Sequence, residues 1–487
     1  MKKREFLKKS AILASSTALM PSFLLACKEK QEATKTTPLT RLRTAHVGVG
    51  NMGAADLNDI SSHAKVDVTA LCDVDATNLA EAKKLHPNAK TFSDYRIMLK
   101  EMGDEIDAVV VSTPDHTHAP VSMMAMEMNK SVYCQKPLTH YVSEARAMKK
   151  LAEEKGLVTQ MGIQVHSFYD YKLATLLIQS GIIGKVHTVR AWSPKNWGYN
   201  GPVPEGQDPV PETLDWNLWL GTSAERPYKE EIYHPGNWRK LVDYGCGTLG
   251  DMGVHIFDTP YNALALDVPR TIKNECREPN GFGFPENNVV TYEFPGTPYT
   301  ADSLKWIWSD GPGAPEMHED LKLPGADEMA TTVNGTDTKE ASVEEKMSLE
   351  TKISGPGTLP EQGAMFIGDK GRLLLPHFMQ LPTKIVDGKY VDISKEIEAV
   401  SKANNMGNPV RDYASEGPKH YHQFVDACLG TDQCSAPFSY ASKLTETILL
   451  GVIASRFPNQ TLNWDSENAK FAEEEANQFL EGDYRDF

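Results

Sequence analysis

The sequence predicts a right-handed, doubly wound α/β sheet over residues 41–163, followed by a second, α+β domain over residues 164–487. Three observations carry the first part: a glycine-rich turn between a strand pattern and a helix pattern, an acidic residue at the end of the next strand, and a strand–helix alternation that then repeats. A chain of 487 residues has room for two or three such units.

Residues 1–26 are set aside before the fold is read. "MKKREFLKKS" is a cationic start and "AILASSTALMPSFLLA" an apolar run, broken by Ser and Pro, that is too short to span a membrane. This segment resembles a bacterial lipoprotein signal, with Leu24-Leu25-Ala26-Cys27 as the lipobox and Cys27 as the lipidated residue. "KREFLK" also resembles the twin-arginine export motif, with Lys3 in place of its first arginine. The resemblance implies an exported protein whose only membrane contact is a lipid at Cys27, on the periplasmic face of a bacterial membrane. Residues 27–40 then read as a polar tether without apolar periodicity.

Removal of residues 1–26 takes away five basic and one acidic side chain, so the net charge of −16 becomes −20. Such an acidic body argues against nucleic acid as a partner. The six remaining cysteines lack the paired spacing of a zinc site. Cys72 and Cys134 sit in apolar runs where buried free thiols are the default; Cys428 and Cys434 are near enough in sequence to pair.

Element by element, "LRTAHV" is the first strand, and Gly48-Val49-Gly50-Asn51-Met52-Gly53 opens the helix after it. In that context Gly48 allows a tight turn, Gly50 lets the backbone approach a pyrophosphate, and Gly53 permits close helix–strand packing. The helix start adds free N–H groups and the positive end of its dipole. "KVDVTALCD" is the second strand and ends in Asp73, twenty residues beyond Gly53. A carboxylate there accepts hydrogen bonds from ribose hydroxyls and repels a 2′-phosphate, which favours NAD over NADP. Asp75 is the better candidate for the cap of the following helix. Val109-Val110-Val111 is the continuous apolar run of a parallel strand covered on both faces. The stretches Thr113–His118 and Gln135-Lys136-Pro137 end strands, where ligands of such sheets bind. A lysine before a proline is ordinarily a solvated strand end; at this position Lys136 faces the cofactor cleft.

In the second half, "DYGCGTLGDMGVHIFD" reads as a helix from Gly250, with Asp251 and His255 four apart on one face. Such a pair serves as a surface contact, half of a metal site, or an acid–base couple. Trp192, Trp197, Tyr199, Trp238 and Arg239 supply flat faces and a hydroxyl-binding fork, or else pack an aromatic core. His116 and His118 have no third ligand in view, so no metal site is read. "NNVVTYEFPG", "SLKWIWSDG" and "GAMFIGDKGRLLL" are strands, the last with a Gly-Asp-Lys-Gly turn. Residues 312–362 look like a loop-rich insertion.

The glycine loop, "TPDHTHAP" and "QKP" together resemble the glucose–fructose oxidoreductase/inositol dehydrogenase/MocA (Gfo/Idh/MocA) family. Its signature at the third of these is Glu-Lys-Pro; Gln135 stands here in place of the glutamate, keeping hydrogen-bonding capacity without the charge. The resemblance implies a Rossmann domain, a large, open, mostly antiparallel sheet in the second domain, and a homo-oligomer formed through that sheet. It implies a bound NAD(H) contacted by Asn51, Met52, Thr113, Pro114, His116, His118, Gln135, Lys136 and Gln164; export of the folded chain with a dinucleotide taken up in the cytosol would require that cofactor to be tightly held. It also matches Asp251 and His255 to the family's Asp-x-x-x-His, which with Lys136 acts on a hydroxyl of a sugar, glycoside or cyclitol. Trp238, Arg239 and Tyr169 are the substrate-side candidates. Two other readings stand beside it: an NAD-dependent glycosidase working by transient oxidation and elimination, and a non-catalytic, cofactor-bound sugar-binding lipoprotein.

Overall fold

The computed structural model describes residues 39–325, 357–409 and 412–487. The leader, Cys27, nearly all of the tether and residues 326–356 of the insertion lie outside the described residues.

The first sheet contains β1 (Leu42–Val47), β2 (Val66–Cys72), β3 (Lys90–Phe92), β4 (Ala108–Val111), β5 (Ser131–Gln135) and β6 (Thr159–Gly162). Its order is β3-β2-β1-β4-β5-β6 and every pair is parallel. All four residues of β4 are buried, as a strand covered by helices on both faces requires. The strand order reverses between β1 and β4, and a crevice opens there beyond the carboxyl ends. Asp75 caps the helix Ala76–Leu85, its carboxylate accepting the Thr77 N–H at 2.9 Å, as expected from sequence.

The second sheet has ten strands: β7 (Val186–Ser193), β8 (Thr271–Glu275), β9 (Asn288–Pro295), β10 (Thr300–Asp310), β11 (Gln362–Gly368), β12 (Gly371–His377), β13 (Thr383–Val386), β14 (Lys389–Val391), β15 (Thr461–Asp465) and β16 (Lys470–Phe471). They run in the order β14-β13-β12-β11-β7-β10-β9-β8-β15-β16. The sheet is mostly antiparallel. Its exception is the central β7–β10 pair, which is parallel because the chain makes a long excursion between the two strands. The expected Gly-Asp-Lys-Gly turn joins β11 to β12, with Gly368 opposite Gly371.

Two late helices return to the first sheet. Tyr413–Cys428 packs on the helix Met52–Ser61, and the almost wholly buried Phe438–Ala454 packs on Val142–Lys155 and under β8. Arg146 forks onto the buried Glu446 at 2.8 and 2.6 Å across that second contact. One apolar core therefore runs through both sheets. Between β7 and β8 a separate aromatic cluster forms around Trp219, Tyr233, Trp238 and Tyr244. Cys428 and Cys434 are free thiols, like the other described cysteines, so the pairing their spacing allowed is not made.

Candidate active site

A cleft of about 720 Å³ opens over the carboxyl ends of β1, β2, β4 and β5 and is roofed by the second domain. Its floor is the glycine turn. Gly48 has φ +81°, and a Cβ there would lie 2.5 Å from the Ser112 carbonyl oxygen. At Gly53 a Cβ would lie 2.2 Å from the Gly48 oxygen, so this helix can meet the turn only without a side chain. Gly50, Asn51 and Met52 line the cleft, whereas Gly53 packs beneath it.

Asp73 lies at the end of β2. Its carboxylate accepts the Val49 N–H at 2.8 Å and the Asp75 N–H at 2.9 Å, tying the glycine turn to the strand. Burial pushes the group upward and these backbone donors oppose it. A carboxylate has about four acceptor directions, so lone pairs remain for hydroxyls in the cleft.

Farther in, Lys136 extends from the end of β5 to Asp251, its Nζ 2.8 Å from Oδ1 and 3.0 Å from the Asp251 carbonyl oxygen. The Trp197 indole N–H donates to Asp251 Oδ2 at 2.6 Å, and Arg239 Nε stands 3.4 Å from Oδ1. Burial alone would raise the Asp251 carboxyl; Lys136 and Arg239 outweigh it and hold the group well below the carboxylate range. Asp251 sits in a π-helical turn, Leu249–Gly253, that runs into the α-helix Val254–Ala263. The expected regular helix from Gly250 is thus widened at its start, the kind of irregularity often found at functional sites.

His255 lies one turn on and lines the same cleft. Its Nδ1 is buried without a hydrogen-bond partner. Burial drives the imidazole well below its ordinary range, with Lys136 and His377 adding to the effect and Asp251 opposing it. His255 is therefore neutral near pH 7.

Thr113, Pro114, Gln135 and Gln164 line the cleft as well. His118 lines it while bridging two loops, with Nδ1 2.8 Å from the Pro137 oxygen and Nε2 2.8 Å from the Thr113 oxygen. His116 does not reach the cleft; it packs against Trp219 and Tyr244, with Nε2 3.0 Å from the Trp219 oxygen. Tyr169 also lies elsewhere, buried and donating to Ser401 Oγ at 3.1 Å. Trp238 and Arg239 are on the cleft wall, the guanidinium 4.3 Å from the indole ring centroid. Trp192 is core, its indole N–H donating to the Pro360 oxygen. Trp197 orients Asp251.

The sequence reading did not single out three groups. Asp115 lies buried in the cleft wall, and burial pushes its carboxyl up to about 7 against the pull of Arg239 and Lys136. His377, from β12, stands with its ring centroid 6.3 Å from that of His255. Asp56, completely buried, accepts from Ser112 Oγ at 2.5 Å, from Tyr421 at 2.8 Å and from the Gln135 amide at 2.9 and 3.0 Å. The histidine pair His116/His118 belongs to no metal cluster among the described residues.

Residues 42–163 match the family described as the oxidoreductase family, NAD-binding Rossmann fold, and residues 171–280 match its C-terminal alpha/beta domain. The chain belongs to the Gfo/Idh/MocA oxidoreductase family. It is 25% identical over 179 residues to levoglucosan dehydrogenase of Pseudarthrobacter phenanthrenivorans, a match covering 37% of this chain and 38% of that protein. It is 27% identical over 207 residues to glycosyl hydrolase family 109 protein 2 of Shewanella sp. strain ANA-3, covering 38% and 44%. The chain thus spans less than half the length of these two relatives. Among solved structures, an inositol dehydrogenase homolog of Azotobacter vinelandii, complexed with NADH and myo-inositol, superposes with a TM-score of 0.57 at 15% identity, covering 88% of this chain and 98% of that one. That likeness establishes the shared fold. The residues present fit a dinucleotide: the turn closes tightly only because Gly48 and Gly53 have no side chains to meet the Ser112 and Gly48 carbonyl oxygens, and Gly50, Asn51, Met52 and the Asp73 carboxylate line the cleft beside it.

Proposed function

We propose that the protein is an NAD(H)-dependent oxidoreductase acting on a secondary hydroxyl of a sugar, glycoside or cyclitol. One observation carries this reading: the Lys136–Asp251 ion pair and a neutral His255 converge in the cleft whose other end is the glycine turn and Asp73. Gly50, Asn51 and Met52 would hold the pyrophosphate and Asp73 the ribose; NADP is disfavoured because a 2′-phosphate would meet that carboxylate. A bound nicotinamide supplies a two-electron acceptor next to the substrate carbon.

The protein's own part is proton handling and orientation. His255, uncharged, accepts the hydroxyl proton. Lys136, held by Asp251, donates to the same oxygen and stabilises its alkoxide character. Asp251 spends Oδ1 on Lys136 and Oδ2 on Trp197, so it acts by positioning the lysine. The acid limb of kcat/KM, set by loss of this base as pH falls, is expected well below the imidazole reference value of about 6.5. His255→Ala should flatten that limb as well as lower the rate; an unchanged limb removes His255 as the base.

The leader resemblance further supports export with the nucleotide already bound and a lipid on Cys27. Mass spectrometry of the mature protein from its membrane is expected to find NAD(H) rather than NADP(H) and a lipidated Cys27. A glycoside screen should then yield a keto product with its linkage intact. The similarity to a glycosyl hydrolase family 109 protein favours a second reading, oxidation followed by elimination, and a cleaved linkage in the same screen would select it. Protein that carries no nucleotide and oxidises no polyol would defeat the proposal.

A further inference from the structure

We infer that Phe487, held by Arg96, forms the outer wall of the adenine end of the cleft, so that the segment carrying Phe487 retains a bound dinucleotide. This rests on the NAD reading above and concerns the half of the nucleotide that does no chemistry.

Past Asp73 the cleft continues between Val74 and Asn78 on one side and Ser93–Tyr95 on the other. With the pyrophosphate on the glycine turn and a ribose on Asp73, a flat base can extend only into this space. Phe487 bounds it. Its position is heavily determined. The Arg96 guanidinium lies 3.9 Å from the centroid of its ring and donates to its backbone oxygen. Arg96 is itself aimed by a fork onto Asp94, at 2.6 and 2.9 Å. Two residues earlier, the Arg485 N–H donates to the Thr222 oxygen at 2.8 Å, and its side chain reaches Ser223 and Asn217 at 3.0 and 2.7 Å. The Tyr484 hydroxyl donates to Glu144 at 2.8 Å.

A second strap crosses beside it. The Ala76 N–H donates to the Thr213 oxygen at 2.8 Å and the Asp215 N–H to the Val74 oxygen at 2.9 Å, stitching the second domain to the end of β2. Side-chain rings set beside a purine bind it through stacking, which does not depend on hydrogen-bond readout. An aromatic ring pinned by a guanidinium loses little freedom when a base arrives, and this preorganisation favours tight binding. Release of the adenine end then requires the Phe487 segment to lift from Arg96.

The experiment compares wild-type full chain, Phe487→Ala and Arg96→Gln, each freed of nucleotide and reloaded with NADH, by fluorescence titration and by stopped-flow chase. Reduced nicotinamide mononucleotide, which lacks the adenosine half, is the internal control. Phe487→Ala should release NADH about tenfold faster or more, with its affinity for the mononucleotide unchanged; Arg96→Gln should shift in the same direction by less. Thermal melting shows whether each variant is folded, and if Phe487→Ala is not, Arg96→Gln decides. NADH release equal to wild type, or an equal loss of mononucleotide binding, overturns the inference alone. A wild-type chain that binds the mononucleotide and NADH equally well also overturns it, whereas one that binds neither overturns the NAD reading and takes this inference with it.

Discussion

Lys136→Met is expected to lower kcat by about a hundredfold to a thousandfold while leaving the NADH dissociation constant within a few-fold of wild type. The substitution keeps the length of the side chain and removes the ammonium that spans from β5 to the helix turn carrying Asp251. The residues proposed for pyrophosphate and ribose, Gly50–Met52 and Asp73, lie at the other end of the cleft, so the loss is expected to fall on turnover. Stability should fall too. Lys136 and Asp251 are only 13% and 15% exposed, and removing one member of a buried pair leaves the other charge uncompensated. Arg239 and Trp197 still reach Asp251, so the cost is expected to be about 1–3 kcal/mol, below the full range for a broken buried pair.

The pH dependence of that cost has a definite sign. Asp251 is held below its unfolded value, so the folded chain binds fewer protons than the unfolded one in the acid range. The stabilisation is fully present above the unfolded carboxyl pKa of about 3.9 and fades as pH drops toward the depressed folded value. Denaturation of wild type and variant should differ most at pH 6–8 and converge below pH 4. A Lys136→Met enzyme with wild-type kcat would remove the lysine from the chemistry.

How much of this was legible differs from group to group. The first sheet followed from local pattern: a glycine turn between a strand and a helix, apolar runs at strand length, and Asp75 as a cap. Lys136 is legible as a strand end and Asp251 and His255 as an i,i+4 pair, but these local signals leave a surface contact, a metal half-site and an acid–base couple open; that the three act together is implied by the family resemblance. Long-range partners leave no such trace. His377 reaches His255 only because β12 pairs with β11, and β11 with β7. Phe487 lies in an irregular segment with no periodicity. His116 and His118 look equivalent in "DHTHAP", yet the helix Asp115–Glu127 turns one of them toward the aromatic cluster and the other toward the cleft. Tyr169 is a substrate-side candidate by sequence, but the helix it starts faces Ser394–Ala403. The parallel β7–β10 pair is a matter of sheet order, which residue type does not encode.

Gln135 shows both halves of this lesson and carries the second large effect. The sequence marks it as a departure from the family's Glu-Lys-Pro; the structure supplies the reason in Asp56, 79 positions away. The Gln135 amide donates to both Asp56 oxygens, while Ser112 and Tyr421 donate to one each, and Gln164 in turn donates to Tyr421 at 2.7 Å. This network links the helix of the glycine turn to the ends of β4, β5 and β6 and to a returning helix. Asp56 is buried, which pushes its carboxyl up to about 6 in spite of these donors. A glutamate at 135 would replace the donor with a second carboxylate about 3 Å away, and two such groups cannot both ionise.

Gln135→Glu is therefore expected to cost at least about 2 kcal/mol at pH 7 and to weaken NADH binding through the displaced glycine turn. Here the sign is opposite to that of Asp251. The shared proton gives the folded state a raised carboxyl pKa, so it binds more protons than the unfolded chain above about pH 4. Stability of the variant should fall as pH climbs from there through the raised value, making it firmer at pH 5 than at pH 7. Adding Asp56→Asn restores a donor opposite the new carboxylate, and the Ser112 and Tyr421 hydroxyls can turn to suit an amide. The double variant should recover most of the stability and of the NADH affinity, as read by urea midpoints and titration. If Gln135→Glu unfolds at the wild-type midpoint at pH 7, or Asp56→Asn brings no recovery, then Gln135 is not there to satisfy Asp56. The absence of the family's glutamate would then need another cause.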